Sequence, residues 1–166
     1  NGSFFQLAPV FGIDKDLGTK KCIGKYVNPV TEGTFAMEDT PNIGESMVEN
    51  PGIYCKSANV SVLAANGKTP LITLNQFGAG KAMYLSSFRV SKESTRFLMR
   101  ALLTLLGKED KVRDYICDNL YTECAYYEEI DKLVVINNSG DTQKTVIKTA
   151  KGDVTVELAP FATKVL

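Results

Sequence analysis

The chain contains no histidine and no tryptophan. Without histidine, neither a Ser–His–Asp nor a Cys–His nucleophilic site can be built, and acid–base work would fall to carboxylates alone. Without tryptophan it lacks the side chain most useful for stacking on a sugar ring. It has no excess of charge, since 19 Lys and Arg balance 19 Asp and Glu. A nucleic-acid-binding surface would show a basic patch or stripe, and Lys20, Lys21 and Lys25 read as scattered surface lysines. No run of about 18 apolar residues suggests a membrane helix, and no basic segment leads into an apolar one as in a signal peptide. Neither nucleic acid nor membrane is expected as a partner, and the expected location is cytoplasmic. Cys22, Cys55, Cys117 and Cys124 show no CxxC spacing. They read as reduced, buried thiols, with no metal and no cofactor expected.

The 166 residues suffice for a core without disulfide support. At the start, Phe4, Leu7, Ala8 and Phe11 fall on one helical face, cut short by Pro9 and Gly12. Residues 18–52 are rich in glycine and proline, with one strand expected at 34–38. From Ile53 the pattern sharpens. "GIYCKS" and "NVSVLAAN" read as strands, "NGK" as a hairpin turn, "PLITLNQFG" and "KAMYLSSF" as strands joined by the tight turn "GAGK". These last two are apolar on both faces, which predicts central, covered positions. Ser91 is placed to cap a helix over "KESTRFLMRALLTLL", with Glu93 favourable to its dipole and Gly107 ending it. Phe97, Leu98, Ala101, Leu102 and Leu105 form its expected apolar stripe. With Val60, Val62, Leu71, Ile72, Leu74, Met83 and Leu85 they are expected to make one core. Hairpin plus amphipathic helix predicts an α/β layer over residues 1–107. After the charged boundary "GKEDKVRDY", five short strand patterns without a helix predict an antiparallel β module over residues 113–166.

Three stretches resemble reactive motifs. "GAGK" falls short of a phosphate loop: Asn75 stands where the first glycine belongs, Ala82 replaces Ser or Thr, and Lys81 opens a strand. "YYEEID" sets three acids beside two tyrosines, but the neighbouring Glu128 and Glu129 sit in a polar turn. Ser86 and Ser87 end a buried strand just before a helix, where ligands bind in open α/β sheets; capping and bending of the strand-to-helix turn is the favoured reading, since no glycine fingerprint or acidic partner accompanies them.

"FFQLAPVFGIDKDLG" at 4–18, "PLITLNQFGAGKAMYLSSFRVSKESTRFLMRALLTLLG" at 70–107 and "LVVINNSGDTQKTVIKTAKGDVTVELAPFATKVL" at 133–166 together resemble the C-terminal part of the galactosyl-hexosamine phosphorylases, glycoside hydrolase family 112. The resemblance implies an α/β fold class: a partial flavodoxin/amidotransferase-like domain over 1–107, then a small antiparallel β-sandwich-like domain over 113–166. It implies a glycosyltransferase-type parent phosphorylase that splits a β-galactosyl–hexosamine disaccharide with inorganic phosphate, inverting the anomeric centre. The family's catalytic acid lies on an N-terminal (β/α)8 barrel, for which this chain is too short. The chain is therefore expected to be a truncated, non-catalytic piece. Its expected partners are the barrel of the same polypeptide and, for the parent, disaccharide and phosphate, with room for a homo-oligomer. No catalytic, cofactor-binding or metal residue is assigned. The competing expectation is an independent carbohydrate-binding or scaffold β-module.

Overall fold

A computed structural model describes residues 3–18, 24–112 and 114–166; Lys20, Lys21 and Cys22 lie outside them. The N-terminal apolar stretch forms a single helical turn, α1 (Ala8–Phe11), with proline in its first turn and Gly12 in the left-handed region (φ 66°) at its end. Ala8 is buried, whereas Phe4 and Leu7 are exposed, so the expected four-residue face does not form. A Cβ at Gly12 would lie 2.5 Å from the Val60 side chain, a second reason the position needs glycine.

From there the chain enters β1 (Ile13–Lys15), which pairs antiparallel with β2 (Ile53–Cys55). The connection contains two 3-10 turns, Phe35–Met37 and Ile43–Ser46. The first replaces the strand expected at 34–38. Phe35, Ala36 and Met37 are all buried, whereas a strand turns successive side chains to opposite faces.

β3 (Ser61–Asn66), β4 (Thr69–Phe77) and β5 (Gly80–Leu85) form a sheet in that order. Gly67 and Gly78, at φ 56° and 58°, open the two-residue loops between them. α2 (Lys92–Leu106) follows. The Ser91 hydroxyl accepts from the Ser94 N–H at 3.1 Å, and the Ser94 hydroxyl accepts from the Ser91 N–H at 2.8 Å, a reciprocal cap. Gly107, at φ 62°, stops the helix.

The α/β flavodoxin/amidotransferase-like expectation is wrong. Parallel strands need crossover connections of a dozen or more residues, and the hairpins here force antiparallel pairing. Among the described residues α2 is the one helix longer than a turn, and the architecture is small antiparallel sheets. The helix face is also rotated from the expected stripe. Ser94, Phe97, Arg100, Ala101 and Thr104 are its buried residues. Leu98 is 37% and Leu102 52% exposed. Phe97 and Ala101 pack with Ile72, Leu71, Leu63 and the 3-10 turns, whereas Val60 and Val62 pack with Cys55 in a separate cluster.

Residues 108–166 form a second compact unit beside the unit of residues 1–107 in the sequence. It holds β6 (Ile116–Cys117), β7 (Thr122–Tyr127), β8 (Lys132–Asn137), β9 (Gln143–Thr149), β10 (Gly152–Leu158) and β11 (Thr163–Val165). β10-β9-β6 and β11-β8-β7 are two antiparallel sheets. Cys117, Leu133, Val135, Ile147, Val156 and Leu158 form their core. The burial of alternate residues along β8 and β9 reflects the period of the pleat.

Candidate functional site

In the first unit a cleft of about 430 Å³ is lined by Phe4, Phe5, Gln6, Leu7, Phe11, Ile13 and Tyr84. Asp14 fixes the segment that forms its wall. This buried carboxylate accepts from the N–H groups of Phe4 at 2.8 Å, Phe5 at 3.2 Å and Lys15 at 2.9 Å. Burial alone would raise its pKa; the N–H groups of Lys15, Phe5 and Phe4, with the Ser3 side chain, outweigh it and hold the group below its ordinary value. The cleft itself carries only Gln6 and the Tyr84 phenol as polar side chains. Burial pushes that phenol up, with the Asn50 side chain opposing it, and its hydroxyl makes no hydrogen bond among the described residues. Such a lining can take an apolar side chain. It offers no cation to a phosphate and no carboxylic acid to a glycosidic oxygen.

The "GAGK" stretch is the β4–β5 hairpin, and Lys81 donates to the Thr104 carbonyl at 3.1 Å. Glu128 and Glu129 lie in an exposed 3-10 turn between β7 and β8. Asp131, which ends that turn at φ 47°, accepts from the Tyr126 hydroxyl at 2.7 Å and the Lys151 ammonium at 3.2 Å. The Tyr126 bond and then Lys151 lower the Asp131 pKa, and Asp131 raises that of Tyr126. Tyr126 stacks on Tyr115, ring centres 4.1 Å apart, so those faces are spent on each other. Ser87 accepts from the Val48 N–H at 2.7 Å, while the buried Ser86 hydroxyl has no partner among the described residues. Burial pushes the Cys55 thiol up, with the Asn28 bond only partly opposing, which disfavours a reactive thiolate. The described residues bring together no cluster of three metal-ligating side chains.

Sequence reasoning missed Asp14 and Arg100. Asp14 carries no motif, and a long-range carboxylate contact leaves no local pattern. Arg100 sits within three residues of Phe97 and one of Ala101, a cation inside the apolar period, which was the available signal.

Residues 1–110 match the family described as the lacto-N-biose phosphorylase central domain, and residues 115–166 its C-terminal domain. The chain belongs to the lacto-N-biose phosphorylase family. It is 33% identical, over 99% of its length, to a D-galactosyl-beta-1->4-L-rhamnose phosphorylase of Lachnoclostridium phytofermentans, 22% of which is covered. A 1,3-beta-galactosyl-N-acetylhexosamine phosphorylase of the same organism is 32% identical over 88% of the chain and 20% of the relative. Another, from Bifidobacterium longum subsp. longum, is 29% identical over 91% of the chain and 24% of the relative. The chain thus spans about a fifth to a quarter of the length of these relatives. Among the described residues, no helix of this family member is long and apolar enough to cross a membrane.

Proposed function

We propose that this chain is the non-catalytic C-terminal portion of a cytoplasmic phosphorylase. The parent transfers a β-galactosyl unit to inorganic phosphate, giving galactose 1-phosphate and a free hexosamine. The observation that carries the reading is the pair of family matches across both units, set against the small share of each relative that the chain covers. Phosphorolysis with inversion needs an acid at the leaving oxygen and a phosphate seat on the opposite face of the sugar. The acids with assigned contacts here have structural work. Asp14 pins the N-terminal segment, Asp39 holds Arg100, and Asp118 accepts from Thr145 and Val146. We assign the two domains expected from the sequence, residues 1–107 and 113–166, to scaffolding for the parent's catalytic barrel.

The test is synthesis in reverse. The purified 166-residue chain and the full-length parent are each incubated with galactose 1-phosphate and N-acetylglucosamine, and phosphate release is followed. Release by the parent alone is expected. Turnover by the isolated chain would overturn the non-catalytic assignment, and failure of the parent on several hexosamine acceptors would overturn the phosphorylase reading.

A further inference from the structure

β5 is built as an interior strand but ends its sheet. Its residues Ala82, Met83, Tyr84 and Leu85 are uncharged and each half-buried. Among the described residues no strand pairs with its outer side. Edge strands are ordinarily guarded by charge, proline, a bulge or a covering segment. The opposite edge is guarded in this way: β3 carries register shifts at Val62–Ala65 and bridges Val30, with the Thr31 N–H donating to the Val62 carbonyl at 2.7 Å. Among the described residues no charge, proline, bulge or paired segment guards residues 82–85.

The hydrogen-bond phase identifies what β5 presents. The Ser86 N–H donates to the Leu71 carbonyl at 2.8 Å, and inward and outward peptide groups alternate along an antiparallel strand. The peptide groups of Met83 and Leu85 therefore point outward, away from β4. Both flanks of this edge are apolar. On one face Tyr84 lines the cleft with Phe4, Phe5 and Phe11. On the other, α2 lies against β5, and its Arg100 side turns to the 3-10 turn at Phe35–Met37. The opposite flank of α2 carries the exposed Leu98 and Leu102. The buried, unpartnered Ser86 hydroxyl stands at the end of the same strand.

We infer that a strand from the part of the polypeptide preceding this segment adds to β5, taking the outward peptide groups of Met83 and Leu85 and covering the Tyr84 cleft and the Leu98–Leu102 flank. The occupant follows from length and order: the relatives are four to five times longer than the region matched, and the region matched begins with a domain described as central. This rests on the reading of the chain as part of a longer phosphorylase.

The experiment uses the full-length parent. Residue-resolved hydrogen exchange is measured on the Met83 and Leu85 amides at two protein concentrations a hundredfold apart. The same protein, carrying photoactivatable diazirine methionine, is mixed as heavy and light isotopic forms, irradiated, and its crosslinks at Met83 are mapped. Expected are exchange slowed on the order of 100-fold relative to a free edge amide at both concentrations, and crosslinks within one molecule to a peptide preceding this segment. Free exchange would overturn the inference. So would protection accompanied by crosslinks only between heavy and light copies, or only within residues 1–166. Phosphorolysis assayed on the same preparation separates the two readings: an active parent with freely exchanging amides refutes the added strand alone.

Discussion

Arg100 donates from Nε and Nη2 to the two carboxylate oxygens of Asp39, at 2.5 and 2.8 Å, while its guanidinium lies 4.4 Å from the centre of the Phe35 ring. Arg100 is 4% exposed. This forked pair on an aromatic face ties α2 to the first 3-10 turn, a geometry that the lysine ammonium does not reproduce. Arg100→Ala removes one partner of a largely buried pair and is expected to cost about 3–5 kcal/mol. Arg100→Met with Asp39→Leu is expected to recover most of that loss. Urea unfolding of the two variants checks it; a double variant no better than the single would deny the pair its assigned role.

The position of the α2 face makes a second, opposite pair of expectations. Phe97 is fully buried, and Phe97→Ala should cost about 3–5 kcal/mol. Leu102 is half exposed in this chain, and Leu102→Ala should cost less than about 1 kcal/mol. Denaturant midpoints of the two variants decide the phase of the helix. Near-equal losses would restore the face expected from the periodicity.

Asn137 joins two loops of the second unit. Its amide donates to the Asp141 carbonyl at 2.7 Å and the Ala159 carbonyl at 2.9 Å, and its oxygen accepts from the Ser139 N–H at 2.9 Å. The residue is buried. Asn137→Leu would strand these backbone groups, at about 1–3 kcal/mol for each that water cannot reach. The expected signature in hydrogen exchange is faster exchange of the Ser139 and Phe161 amides, with β9 amides changed least. Unchanged loop amides would show that the side chain is dispensable.

Asp14 gives the first unit an acid limb. Its pKa is depressed in the folded state from an ordinary value of 3.8. Its contribution to stability is therefore complete above that value and is lost as pH falls below it, through the folded-state pKa. Asp14→Asn should lower stability at pH 7 and flatten the pH dependence below about pH 4. Thermal melts of both proteins across pH 3–7 test this. Parallel curves would mean that other groups set the acid limb.

Much of the local structure was legible in the sequence because its causes are local. Ser91 and Gly107 bound α2 through a hydroxyl that accepts an N–H and a backbone that tolerates positive φ. The hairpin loops follow from glycine at the turn, and the second unit's strands follow from alternation. The family resemblance was equally readable, because it rests on the order of these same stretches.

Tertiary structure alone decided the rest. A period of 3.6 says that α2 has an apolar side but not which of two neighbouring stripes is buried. That choice fell to Asp39 and Phe35, some sixty residues away in the chain, which draw Arg100 inward. The stretch 34–38 has the composition of a strand, but burial of three successive side chains fits a tight turn. β5 reads as an interior strand by composition and stands at an edge, since pairing partners are set by chain topology and not by the strand itself. The α/β expectation failed for the same reason: a hairpin followed by an amphipathic helix is shared by several layer architectures, and which strands meet beyond the two hairpins is decided only when the chain folds.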